Sequence, residues 1–171
     1  MMDRKNLAIL ILSGLIVICI GVTLWALLRG GADAPISPDY PPQGTERNQQ
    51  PLEDGGTPLE SPEGGGAINV TFGTEATAAL SAQTVSLYYA NPGVSNQNVA
   101  ILIRIDELVV AKSDLITPGH AVTELRLEAA ACSKLQVGSY AAELVIRAYD
   151  PVTGEKAMID TRGAITLRVV E

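Results

Sequence analysis

The chain has 171 residues and a mass of 18.0 kDa, with 12 Lys and Arg against 19 Asp and Glu, a net charge of −7 and a pI of about 4.7. So acidic a chain lacks the basic surface that phosphate neutralisation needs, so no nucleic-acid partner is expected. Two cysteines and one histidine exclude a disulfide-knitted scaffold and any metal site built from several His and Cys ligands.

Mean hydropathy is nevertheless positive, at +0.21, so the apolar residues are concentrated somewhere. They are met first at residues 7–28, LAILILSGLIVICIGVTLWALL, which carry no charge and include fourteen Leu, Ile or Val. As a helix this stretch spans roughly 33 Å, close to the ~30 Å of bilayer hydrocarbon. A soluble helix needs a polar face, and this one has none. Trp25 lies near its outer end, where an indole suits the interface. The stretch is therefore expected to be a single transmembrane signal-anchor in contact with the lipid bilayer. A cleaved signal peptide is the alternative, since Ala32-Asp33-Ala34 resembles a cleavage pattern. Against it, the apolar run exceeds the usual length of about 7–15 residues, and Pro35 would follow the cut. Arg4 and Lys5 precede the run and the chain turns acidic after Arg29. The positive-inside rule then puts residues 1–6 in the cytoplasm and everything after residue 28 outside.

Residues 29–66 contain seven prolines, eight glycines and seven acids against two arginines. Too few large apolar groups are present to offset the entropy of ordering, so a disordered linker with a coil reach of roughly 35 Å is expected. The run Ser37-Pro38-Asp39-Tyr40-Pro41-Pro42 has polyproline character.

From residue 67 to 171 the apolar period becomes two. Ile68, Val70 and Phe72 alternate with polar neighbours, as do Val85, Leu87 and Tyr89. Val99, Ile101, Ile103 and Ile105 form a longer run, joined through Asp106-Glu107 to Leu108-Val109-Val110. Leu115-Ile116 makes a brief edge segment before Pro118-Gly119, and Ala121, Thr123, Leu125 and Leu127 alternate next. Residues 127–135, LEAAACSKL, break the alternation and are expected to form a short helix or turn crossing between the sheets. Tyr140, Ala142, Leu144, Ile146 and Ala148, then Ile165, Leu167 and Val169, complete the set. Short alternating strands between turn signals predict an all-β, antiparallel β-sandwich. Leu135-x-x-Gly138-x-Tyr140 has the spacing of a tyrosine corner, in which a strand-initial phenol bonds back to upstream backbone in immunoglobulin-like folds.

Residues that carry chemistry elsewhere read as structural here, and no catalytic, cofactor-binding or metal residue is assigned. His120 follows Thr117-Pro118-Gly119 and is read as an exposed turn residue, since no G-x-S-x-G elbow accompanies it. Cys132 is either half-buried packing or a free or intermolecular thiol, because Cys19 would lie in the bilayer. Asp150-Pro151-Val152-Thr153-Gly154 is near a sortase signal but lacks the apolar stretch and basic tail that must follow, so it is read as a hairpin turn. Asp106, Glu107, Asp114, Asp150 and Glu155 form no D-x-D-x-D loop and are read as solvated. No cofactor is expected.

The order Tyr88-Tyr89-Ala90-Asn91-Pro92, Asn98, Ile101 to Ile105, Ser113 to Gly119, Leu135 to Tyr140, Tyr149-Asp150 and Thr153-Gly154 resembles a group of small Firmicutes surface proteins. These have one N-terminal membrane helix, a low-complexity spacer and one immunoglobulin-like domain, with no established activity. The chain departs from their pattern at residues 129–133, where its connection is longer. The resemblance implies an immunoglobulin-like fold and transfers no functional residue. The expected function is thus a non-enzymatic, membrane-anchored module that binds an extracellular protein or glycan or takes part in assembly. The alternative is an accessory subunit of a membrane machine for secretion, conjugation or pilus assembly.

Overall fold

The computed structural model describes residues 16, 18, 19, 21, 40–53, 59–60 and 66–171. Of the expected membrane helix, Ile16, Ile18, Cys19 and Gly21 fall among these and are helical and exposed. The remainder of residues 7–28, and residues 1–6, lie outside the described residues. Among the described residues no helix is long and apolar enough to cross a membrane. The chain divides into two compact units, residues 1–39 and residues 40–171, and the described strands all belong to the second.

The elements of this second unit are β1 (Gln50–Pro51), β2 (Thr71–Phe72), β3 (Glu75–Ala79), β4 (Thr84–Asn91), β5 (Asn98–Ile105), β6 (Leu108–Lys112), β7 (His120–Arg126), a one-turn helix α1 (Ala129–Cys132), β8 (Gly138–Tyr149) and β9 (Thr161–Val170). The strand order is β1-β7-β4-β3-β9-β8-β5-β6, with β2 also paired to β4. Strand β3 joins the two halves. It runs antiparallel to β4, with Ala78 opposite Val85, and parallel to β9, with Ala78 opposite Val169. The result is an all-β curled sheet, consistent with a β-sandwich.

Period-two alternation fills the interior. Val85, Leu87 and Tyr89 from β4 meet Val99, Ile101 and Ile103 from β5, Leu144 and Ile146 from β8, and Ile165, Leu167 and Val169 from β9. Each large apolar side chain so buried stabilises the fold by about 1.5–3 kcal/mol. The β5–β6 hairpin forms at Asp106-Glu107, pairing Ile105 with Leu108, and Asp106 takes a left-handed φ of 49° that short polar residues tolerate.

Three details differ from the sequence expectation. Strand β3 was not foreseen, because its inward residues are Ala76 and Ala78 and alanine carries little apolar signal. The expected strand around Ile68 and Val70 shrinks to Thr71–Phe72, although Ile68, Val70 and Phe72 still pack on the core. In β7 the inward set is Val122 and Leu125, with Thr123 exposed. The register between β4 and β7 shifts between Ser86 and Tyr89, so an extra residue on β4 resets which side chains face inward.

Of the expected linker, residues 40–53, 59–60 and 66 are described and belong to the second compact unit, which begins at residue 40, while residues 29–39, 54–58 and 61–65 lie outside the described residues. Residues 44–52 lie along the β7 side of the sheet, with Gln50 opposite Ala121 and Pro51 opposite His120. Farther on, the Leu59 N–H donates to the Val94 carbonyl at 2.7 Å, and Ala67 and Asn96 bond to each other. Hydrogen bonds, not apolar burial, hold residues 44–52, which is why composition does not reveal them.

Candidate functional site

One end of the second unit gathers most of its buried polar groups. Asn91, at the end of β4, is fully buried, and its amide Nδ2 donates to the carbonyls of Gln97 and Ile116, each at 3.0 Å. Its backbone carbonyl accepts the Gly119 N–H at 2.7 Å. Asn91 thereby fixes the 113–119 loop against the start of β5. Gly119 carries φ +77°, a conformation that glycine adopts without strain. Ser113 Oγ accepts the Ile101 N–H at 2.9 Å, closing the same loop from its other side.

Onto this fixed loop the chain lays residues 44–52, a strap along the sheet edge. Leu115 N–H donates to the Gly44 carbonyl at 3.0 Å and Glu46 N–H returns to the Leu115 carbonyl at 2.8 Å. The Glu46 carboxylate accepts the Asp114 N–H at 2.9 Å and the Asn48 N–H at 3.2 Å. Gln49 Oε1 accepts the Thr117 N–H at 3.2 Å, and Leu52 N–H donates to the Gly119 carbonyl at 2.8 Å. Gln50 and Pro51 themselves are exposed, so the strap adds backbone pairing without adding core.

The strap completes the protection of the sheet. The opposite end of the strand order, β6, is covered by the chain entering α1. There Glu128 N–H donates to the Val110 carbonyl at 2.8 Å, Ala111 bridges Leu127, and Lys112 Nζ lies 3.4 Å from Glu128. An open edge is a template for pairing with another chain. At β7 that edge is closed by residues from outside the strand-built core.

The residues weighed from sequence fall at separate places. His120 pairs with Pro51 in register, and its Nδ1 lies 2.9 Å from Thr117 Oγ1 and 3.1 Å from the Pro118 carbonyl. The imidazole thus folds back on its own turn and neither of these contacts is a serine or cysteine nucleophile. Cys132 is half-buried in α1, with Sγ 3.9 Å from the Leu80 carbonyl. It borders an open hollow of about 430 Å3 shared with Gln83, Arg126 and Glu128. Asp150 Oδ1 accepts the N–H groups of Val152 at 2.8 Å and Thr153 at 2.7 Å, and Gly154 closes the turn at φ +72°. The bonds from Thr153 and then Val152 hold the Asp150 carboxyl below the usual carboxylate range. Asp106 and Glu107 sit at another hairpin, and Asp114 lies beside Glu46. Among the described residues no group of three or more His, Cys, Asp or Glu is placed to hold a metal ion.

Away from this end, Arg104 on β5 meets Glu143 on β8 at 2.8 Å, directly across the ladder, and Arg162 on β9 approaches the same carboxylate at 3.7 Å. These half-exposed pairs are worth little individually. The anchoring role of Asn91 and the strap were both missed from sequence. The signal for the first was an asparagine between a strand end and Pro92, a common turn pattern. The strap left none beyond Glu46, Asn48 and Gln49, polar residues that suit solvent equally well.

No protein-family model matches the chain, and no curated protein matches it. Among solved structures it is similar to AggA, the major subunit of aggregative adherence fimbriae type I from Escherichia coli. The similarity covers 66% of this chain and 99% of that one, at 10% identity and a TM-score of 0.33. A likeness so distant carries no argument about activity or partner.

Proposed function

We propose that the chain is a single-pass, membrane-anchored surface module without enzymatic activity. Its N-terminus is cytoplasmic, and an immunoglobulin-like β-sandwich outside the membrane serves binding or assembly. The observation that carries this reading is the uncharged apolar run at residues 7–28 ahead of a strand-built unit. Two features support the immunoglobulin-like label. Strand β3 is shared between the two halves of the sheet, and Tyr140 at the start of β8 bonds back to Gln136 as a tyrosine corner does. The unit offers exposed hairpin turns on a rigid sheet, the places where β-domains carry binding residues. The resemblance to small Firmicutes surface proteins points the same way.

Alkaline extraction of membranes tests the reading. The full-length chain stays in the pellet, and protease added to intact cells removes residues 40–171 from it. Release into the alkaline supernatant, or full protection from external protease, contradicts the proposal.

A further inference from the structure

Strands β3, β9, β8 and β5 turn one face to the core and the other outward. The register puts Arg104, Arg147, Arg162 and Arg168 on the outward face, together with Glu75 and Glu143. In a chain of net charge −7, this face thus holds four arginines against two glutamates. Between the arginines stand Ser139, Ala141, Ala164 and Thr166, all exposed, so the surface is flat and the guanidinium groups rise above it. Arg104 and Arg162 already converge on one carboxylate, that of Glu143. We propose that this face binds a linear polysaccharide bearing carboxylates, with the guanidinium groups taking carboxylates along its length. The proposal rests on the reading of the unit as a binding module at the cell surface.

Three observations favour such a partner. Arg162 and Arg168 lie on one face of β9 roughly 20 Å apart, too far to share one small anion but suited to a polymer. Strand β8, at the middle of the face, is paired on both sides, to β5 and β9, so its main chain has nothing to offer an added peptide strand. Protein partners seat large aromatic or apolar anchors, and the outward Val145 is only 4% exposed among small polar neighbours. Within the face, Asp106 shares a hollow with Arg104, and Asp160 lies 3.5 Å from Arg147. Arg162 keeps 55% of its side chain exposed, and Arg168 is exposed with no ion-pair partner among the described residues. These two arginines therefore carry most of the binding.

The full-length chain, in a neutral detergent, is tested for binding to immobilised polygalacturonate, with dextran as the neutral polymer and polyglutamate as the acidic peptide. It is expected to bind polygalacturonate in preference to both, and less tightly as salt is raised. Arg162→Gln with Arg168→Gln should weaken binding severalfold. Arg47→Gln with Arg126→Gln removes the same charge on the β7 side and should leave binding nearly unchanged. Circular dichroism checks that each variant is folded, and Arg168→Gln alone serves if the first pair is not. No binding to polygalacturonate, equal loss in the two double variants, or equal or tighter binding to dextran or polyglutamate overturns the proposal. Binding is read in detergent, so its failure leaves the membrane location standing, and release of the chain on alkaline extraction leaves the binding result standing.

Discussion

Tyr140 and Gln136 hold each other through one phenolic oxygen. The Tyr140 hydroxyl donates to the Gln136 carbonyl at 2.9 Å and accepts the Gln136 N–H at 3.3 Å. This pins the corner that leads from α1 into β8, while the Tyr140 ring packs on the core. Tyr140→Phe keeps the ring and removes both bonds. It is expected to lower the unfolding free energy by about 1 kcal/mol, read from urea denaturation of the full-length chain with the slope unchanged. An unchanged midpoint would mean the corner is ornamental.

Tyr89 predicts the opposite sign. It is fully buried, and its hydroxyl has no hydrogen-bond partner among the described residues. Tyr89→Phe is therefore expected to stabilise the fold by about 1 kcal/mol, since an unsatisfied buried polar group is removed. Burial also pushes the Tyr89 hydroxyl pKa upward. The folded state then keeps its proton where the unfolded state loses it. Stability is unaffected below the ordinary phenol value of about 10 and falls as pH rises beyond it. The variant should lose that component of the alkaline decline in a melting-temperature series.

Asp150 sets an acid-side dependence. Its folded carboxyl titrates below the unfolded one, so its contribution is present above the ordinary carboxylate range and disappears as pH falls through the depressed value. Asp150→Ala should melt lower than the parent at neutral pH, and the gap should narrow toward the acid end of a pH series. A constant gap would show that the contribution of Asp150 does not depend on its ionisation.

Gly163 on β9 faces Phe72, and a Cβ added there would run into the Phe72 ring. Gly163→Ala is expected to cost about 1–3 kcal/mol through overpacking. Phe72→Leu in the same chain should recover part of that loss, which a double-mutant cycle measures as a coupling energy. Additive losses would show that the two positions do not meet.

Much of the strand-built core was legible because the physics that forms it is also the physics that patterns a sequence. Val99 to Ile105, Tyr140 to Ala148 and Ile165 to Val169 alternate because one face is buried, and alternation survives in the letters. Tyr140 was legible through its spacing from Leu135 and Gly138. Strand β3 was not, since Ala76 and Ala78 are inward but small. The strap was not, since it is held by main-chain groups that every residue carries, while Glu46, Asn48 and Gln49 look like ordinary solvated side chains. Asn91 stands in a legible turn pattern, but its task was hidden. That task depends on the carbonyls of Gln97 and Ile116, which only the folded chain brings to it.

Met158 stands on the turn between β8 and β9 and is 98% exposed, a placement suited to reporting which side of the membrane the β-domain occupies. In the full-length chain, Met158→Cys should react with a membrane-impermeant maleimide added to intact cells, while the labelled protein stays with the membrane through an alkaline wash. Labelling that requires cell lysis, or label that leaves with the wash, contradicts the account of an outward-facing, anchored β-domain.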